Sequence, residues 1–292
     1  MSRMTTPAKI FNVFNMVFLS LAGVLCILPM VHVLAVSLSQ NHAVTSYLVK
    51  FWPIGFNLVA YEKCFASSGF LVAAKISVIR SVLGCLLGMF LTVTAAYSLS
   101  KTSGVFRGRT AYAWFFVFTM LFNGGLIPSY LAVKYTGLID SILALILPSA
   151  VNVFNTVVMM NFFRGLPKDL EEAAFIDGAG HFRILFTIYF PLSLPSFATL
   201  TLFTLVGHWN SWFDGMIYMT QAQNYPLATF LRALIASFDY SKLGLDPSVL
   251  KLLSERSLKA AQIFIGTIPI LLVYPFLQKY FVQGMTLGSV KE

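Results

Sequence analysis

The chain has 292 residues, 58% of them hydrophobic and only 11% charged, where a soluble domain carries roughly 25% charged residues. That composition excludes an ordinary water-soluble domain and predicts an all-α membrane protein with several spans. The net charge of +9 is assigned to basic residues at span ends, which set orientation, and not to nucleic-acid binding.

No residue between Lys9 and Lys50 is charged, and residues 10–36 are long enough to cross a bilayer. The run exceeds a signal-peptide core and no convincing cleavage site follows, so it is expected to be retained as the first span. Pro29 and His32 fall near its outer end. His32 has no second His or Cys at ligand spacing and reads as a packing or interfacial residue. Residues 37–70, with Trp52, Pro53 and Tyr61, read as an extracytoplasmic loop with interfacial aromatics. Residues 81–100 are charge-free and give the second span. Lys75 and Arg80 stand at its entry and are read as snorkelling to the interface, the alternative being a polar cavity.

Lys101, Arg107 and Arg109 follow with no acid among them, the clearest cytoplasmic signal in the chain. Residues 110–133 give a third span, interrupted late by Asn123-Gly124-Gly125-Leu126-Ile127-Pro128, a run that breaks a helix. Either the span ends there or its backbone lines a water-filled path. Residues 141–163 form the fourth span and contain Asn152, Asn155 and Asn161. Amides in lipid are costly, so these three are expected to face protein or a cavity, through helix–helix hydrogen bonds or along a substrate path.

The most polar stretch inside the apolar chain is 166–195, LPKDLEEAAFIDGAGHFRILFTIYFPLSLP. Pro167 opens it, Asp169, Glu171 and Glu172 follow, and Gly178 and Gly180 close it. Proline suits a first helical position, acids suit the positive end of a helix dipole and glycine suits the C-terminal cap. The pattern predicts a short helix over 168–177, about three turns, with the small pair Ala173-Ala174 at its middle, where another protein can approach closely. A charge-free run over 184–213 carries the fifth span and ends in Trp209-Asn210-Ser211-Trp212. A long polar segment, 214–259, precedes a sixth span over 260–278 with Pro269 and Pro275 in it. A polar tail, 279–292, ends the chain.

Six spans put both termini, 101–109 and 164–183 on one side, cytoplasmic by the positive-inside rule. The chain has no Gly-x4-Gly-Lys-Ser/Thr phosphate loop and is not expected to hydrolyse ATP. Its four histidines (32, 42, 181 and 208) form no metal cluster in sequence. Cys26, Cys64 and Cys85 have no paired spacing and read as apolar filler. Intramembrane acids are nearly missing, which argues against a carrier that relies on buried carboxylates.

Glu172-Ala173-Ala174, then Gly178, Ile188 and Phe190-Pro191, resembles the EAA loop of permease subunits of binding-protein-dependent ABC importers, with Phe190 where the family usually has Leu. Residues 70–292 look like the second permease of the maltose-type carbohydrate group. Asn123 to Pro128 with Tyr130 resembles a subgroup that handles complex or acidic oligosaccharides. Trp209-Asn210-x-Trp212-Phe213, Pro226-Leu227 with Leu231-Arg232, and Gly284-x-Thr286-x-Gly288-x-Val290-Lys291 fit the same group. The resemblance implies a type I importer permease of six transmembrane helices, N-in and C-in, forming a single domain over 1–292. Its family-like core is about 70–282, with a cytoplasmic coupling helix at about 168–180.

The partners it implies are a homologous second permease, two ATPase subunits that carry ATP and Mg, an extracytoplasmic solute-binding protein, membrane lipid and an oligosaccharide. The place it implies is a bacterial cytoplasmic membrane. This chain would hold no cofactor or metal and would not be an enzyme. By resemblance, Glu171, Glu172, Ala173, Ala174, Asp177 and Gly178 couple to the ATPase, and Gly284, Thr286, Gly288 and Lys291 of the tail contact it. Asn152, Asn155, Trp209 and Asn210 are candidates for the substrate path, and Gln221, Asn224 and Pro226 for contact with the binding protein. A non-sugar solute, or a secondary carrier, stays open as an alternative.

Overall fold

The computed structural model describes residues 6–236 and 255–289, all of them in helices, turns and connecting segments with no strand. In chain order the helices are α1 (Thr6–Ser37), α2 (Asn41–Thr45), α3 (Val59–Ala66), α4 (Ser68–Ser100), α5 (Arg109–Leu121), α6 (Leu126–Tyr135) and α7 (Ile142–Ile146). Then come α8 (Val153–Arg164), α9 (Asp169–Ile176), α10 (His181–Ile184), α11 (Phe190–Leu192), α12 (Leu194–Asn210), α13 (Phe213–Tyr218), α14 (Leu227–Ala236) and α15 (Glu255–Ser289). A 3₁₀ turn, Leu147–Ser149, extends α7, and a π-helical turn, Leu185–Tyr189, joins α10 to α11.

Among the described residues three helices are long and apolar enough to cross a membrane: Pro7–Ser37, Ser68–Ser100 and Glu255–Val273. Three bent pairs bring the number to six if each counts as one span. The second, third, fourth and fifth expected spans overlap α4 and the three bent pairs, and the first and sixth overlap α1 and α15. The second begins at Ser68 and not at 81, so Lys75 and Arg80 lie within α4.

Each break has a local cause. Between α5 and α6 the chain turns by 115°. Phe122 is extended, and Asn123 Oδ1 accepts from Gly125 N at 2.8 Å. The span read over 110–133 is thus two helices, and α6 does not continue α5. Between Ile142–Ser149 and α8 the bend is 48°. There Asn152 caps α8, its side-chain oxygen accepting from Asn155 N at 3.0 Å. The fifth span bends by 86° between His181–Leu192 and α12. Pro195 sits in the first turn of α12, where it gives up no helical hydrogen bond.

The chain divides into two compact units, residues 1–71 with 233–268 and residues 72–232 with 269–292. In the first, Ala35 and Val36 of α1 pack with Ala43, Val44, Val49 and Ala260. His32 Nδ1 lies 2.6 Å from Lys50 O and Ser37 Oγ lies 2.8 Å from Tyr61 OH. The apolar length of α1, with Phe11, Phe14 and Phe18, is exposed on this chain.

The core of the second unit is a stripe on α4, Cys85, Met89, Val93, Ala96 and Tyr97, at the three- and four-residue spacing of one helix face. Met159 and Phe163 of α8, Ile184, Leu185 and Tyr189 of the turn region, and Leu200 of α12 close against it. Lipid tails are as apolar as these side chains, so close van der Waals fit holds such a core more than water exclusion does.

Candidate functional site

The short polar helix forms where the sequence places it. Helix α9 has eight residues, with Asp169, Glu171 and Glu172 in its first turn. It begins after Lys168, so Pro167 precedes the helix and is not its first residue. Its end is a Schellman cap: Gly178 N donates to Phe175 O at 3.0 Å and Ala179 N donates to Ala174 O at 2.9 Å. Gly178 has φ +74°, the left-handed conformation that glycine adopts without steric penalty. Glu172, Ala173, Asp177 and Gly178 are exposed, while Ala174 leans on the core.

Glu171 faces the other way. Its Oε1 accepts from Lys101 Nζ at 2.6 Å and its Oε2 accepts from Tyr189 OH at 2.5 Å. Lys101 is 7% exposed. Its ammonium sits 3.8 Å from the Tyr97 ring centroid and 4.2 Å from that of Tyr189. Burial pushes the Lys101 pKa below the usual lysine range, and Glu171 pulls it back up. Tyr97, Tyr189 and Phe163 pack edge to face, with centroids 5.1 to 6.4 Å apart. Arg164 donates to Leu99 O at 3.1 Å, tying the end of α8 to the same level of α4. The result is a clasp fixing α9 to the bundle. Of the two acids, Glu171 points inward and Glu172 outward.

A second polar centre lies roughly 30 Å away along α4, counted at 1.5 Å per residue from Lys101 to Arg80. Arg80 is 1% exposed and pairs through both terminal nitrogens with Asp214, the Nη1 bond to Oδ1 being 3.3 Å. Nη1 also donates to Ser211 O at 3.0 Å, and Ser211 Oγ donates to Asp214 Oδ1 at 2.8 Å. The snorkelling reading of Arg80 is overturned in favour of its alternative, a polar cavity: Arg80 is buried against Asp214, and both line a cavity. Lys75 is exposed. Beside the pair is a cavity of about 280 Å³ whose lining includes Asn152, Asn155, Thr204 and His208. Asn155 both lines it and donates to Thr204 at 3.2 Å.

Asn161 is exposed on this chain, and Trp209 and Asn210 are not among the cavity's lining residues. Gly84 lets α12 approach α4, since a Cβ there would lie 2.5 Å from His208 Nε2. Gly84→Ala is therefore expected to cost about 1–3 kcal/mol and to lower the yield of folded protein. Gly23→Ala in α1, where nothing lies within 4 Å, is the control. Equal melting temperatures for the two variants would refute the close-packing claim.

Asp140 (φ +62°) holds the turn after α13. Its carboxylate accepts from Thr220 Oγ1, from Thr220 N at 2.7 Å and from Gln221 N at 3.2 Å. The Thr220 hydroxyl bond, helped by the two amides, holds the Asp140 pKa below the usual aspartate range. A lowered carboxylate pKa means order that is present above the unfolded value, about 3.9, and lost as pH falls through the folded value. Hydrogen-exchange protection of the Thr220 and Gln221 amides should therefore vanish below that range. Asp140→Asn should reduce it already at pH 7. Gln221 is exposed and Asn224 half-buried, but Pro226 is buried. Gly284, Thr286 and Gly288 fall within α15, and Lys291 lies outside the described residues.

Residues 71–287 match the model of the family described as binding-protein-dependent transport system inner membrane component. The chain is 39% identical over 288 residues to the polygalacturonan/rhamnogalacturonan transport system permease protein YtcP of Bacillus subtilis (strain 168), covering 97% of this chain and 99% of the relative. It is 39% identical to protein LplC of the same organism, over 98% of this chain and 97% of that one. Its fold superposes with TM-score 0.87 and 30% identity on a chain of a bacterial ABC transporter involved in the import of the acidic polysaccharide alginate, covering 96% of this chain and 100% of that one. A polytopic helical chain with an exposed helix clasped to its core, matched over this length, belongs to the inner membrane components of binding-protein-dependent transport systems.

Proposed function

We propose that this chain is one of two homologous permeases of an ATP-driven importer that takes oligosaccharides, uronic-acid-containing ones first, from an extracytoplasmic binding protein into the cytoplasm. The observation that carries the reading is α9. Its Glu172-Ala173 side is exposed while Glu171 is locked to Lys101 and Tyr189. A helix free on one side and fixed on the other can pass a partner's movement into the spans. The sugar class rests on the relatives, two of which are named for polygalacturonan/rhamnogalacturonan and for alginate.

In this scheme two partner ATPases bind ATP and Mg and dock on Glu172, Ala173, Asp177 and Gly178. The tail residues Gly284, Thr286, Gly288 and Lys291 touch them as well. The turn at Gln221 and Asn224 meets the binding protein. The test is a pull-down of the tagged permease from detergent, followed by reconstitution and uptake of tetragalacturonate. Recovery of an ATPase and a second permease, with ATP-dependent uptake, supports the reading. Recovery of the chain alone, even after crosslinking through Glu172→Cys, refutes it.

A further inference from the structure

The cavity beside Arg80 gathers polar groups from four places in the chain: Arg80 from α4, Asn152 and Asn155 from the start of α8, Thr204 and His208 from α12, and Asp214 from α13. At about 280 Å³ it lies just below the usual range of ligand cavities, roughly 300–1,000 Å³, a size for one sugar unit and not for a chain of them. Its lining holds the donors and acceptors that hydroxyl groups need: a carboxylate that accepts, a guanidinium that donates, and amides that do both. One donor is unmatched. Arg80 Nε is buried with no hydrogen-bond partner, although the same side chain places both its terminal nitrogens on Asp214.

A buried ion pair needs hydrogen bonds around it, and Ser211 supplies them here, whereas the Asn152 and Asn155 side chains bond to Asn155 N and to Thr204 and not to the pair. Charge argues further. A bare guanidinium away from bulk water would grip a sugar carboxylate strongly, and a transport path must release what it binds. Asp214 cancels that charge.

We propose that this cavity is a saccharide subsite within this chain. It holds one sugar unit through hydroxyl hydrogen bonds to Arg80, Asp214, Asn152 and Asn155, and the ion pair keeps the lining neutral so that acidic sugars pass without being trapped. The proposal rests on the reading of the chain as an oligosaccharide permease. It adds that this chain itself contacts the solute, and where.

The test uses the complete importer in proteoliposomes with two probes, tetragalacturonate and its methyl ester, which share a backbone and differ in charge. The double variant Arg80→Met/Asp214→Leu removes the pair as a unit and leaves no orphaned charge. It should cut uptake of both probes at least tenfold while the ATPase still copurifies. Asp214→Asn frees the Arg80 charge, and should lower KM for the acid and slow its uptake at least fivefold relative to the ester. Asn152→Ser keeps an oxygen able to cap α8 and removes the amide. It gives the answer should the double variant fail to assemble, and is expected to lower uptake of both probes at least threefold. Wild-type uptake by the double variant, or by Asn152→Ser, overturns the subsite and leaves the importer reading standing. An equal effect of Asp214→Asn on acid and ester overturns the charge-balancing role. Failure of the wild-type importer to take up either probe overturns the oligosaccharide reading and the subsite with it.

Discussion

Lys101→Met is expected to lower solute uptake at least tenfold while ATP hydrolysis by the assembled complex continues. Lys101 is the centre of the clasp: its ammonium lies 2.6 Å from Glu171 and against the faces of Tyr97 and Tyr189. Methionine fills the same space but leaves the Glu171 carboxylate, 15% exposed, with only the Tyr189 hydroxyl. Removing one partner of a fully buried pair costs about 3–5 kcal/mol. With Glu171 reaching some solvent, about 2–3 kcal/mol is the expected loss here. That loss falls on the link between α9 and the bundle, because the core beneath is apolar and untouched. ATPase closure shifts the permease equilibrium only through contacts that differ between its states, and a loosened α9 moves without moving the spans. Lys101→Met/Glu171→Gln removes both charges, and should regain most of the thermal stability without regaining transport. Uptake per ATP equal to wild type in the single variant would show that α9 needs no clasp.

The reach of sequence reasoning differed along the chain for physical reasons. Helix α9 was legible to within a residue because its signals are local: acids in its first turn and a glycine at the position of left-handed φ. Which of its acids faces inward was not legible. Glu171 and Glu172 are chemically alike, and the choice is made by Lys101, 70 residues away in sequence. Arg80 and Asp214 are 134 residues apart, and each reads alone as a charge near a span end. A lone buried arginine costs too much to keep, and that cost, weighed against snorkelling, was the only available hint of a partner. Breaks at Gly125 and Pro195 were visible as residues, but a glycine or proline marks a bend without fixing its angle. The 115° and 86° turns are set by what α6 and α12 pack against, namely Tyr218 and Met219 for α6 and the α4 stripe for α12.

Glu172→Lys should uncouple the importer, leaving the permease folded and the binding protein able to deliver sugar while transport falls at least a hundredfold. Glu172 is exposed and follows the inward Glu171 by one residue, about 100° around the helix. No contact within the described residues is lost by reversing its charge. The effect falls on the partner: a basic group proposed to meet Glu172 would face another cation, and like-charge contact across an interface costs several kcal/mol. About 2.7 kcal/mol is enough for a hundredfold loss of docking. Gly178 provides an independent check at the other end of the same helix. It has φ +74° and open space where a Cβ would go, so a substitution strains backbone by roughly 1–2 kcal/mol and clashes with nothing. Asparagine tolerates that conformation and is neutral, so Gly178→Asn should transport nearly as wild type. Gly178→Asp has similar shape and adds a negative charge to the docking face, and should uncouple. Equal uptake by the Asn and Asp variants would mean that the face meets no charged partner. Copurified ATPase held at wild-type strength by Glu172→Lys would mean that docking lies elsewhere on the chain.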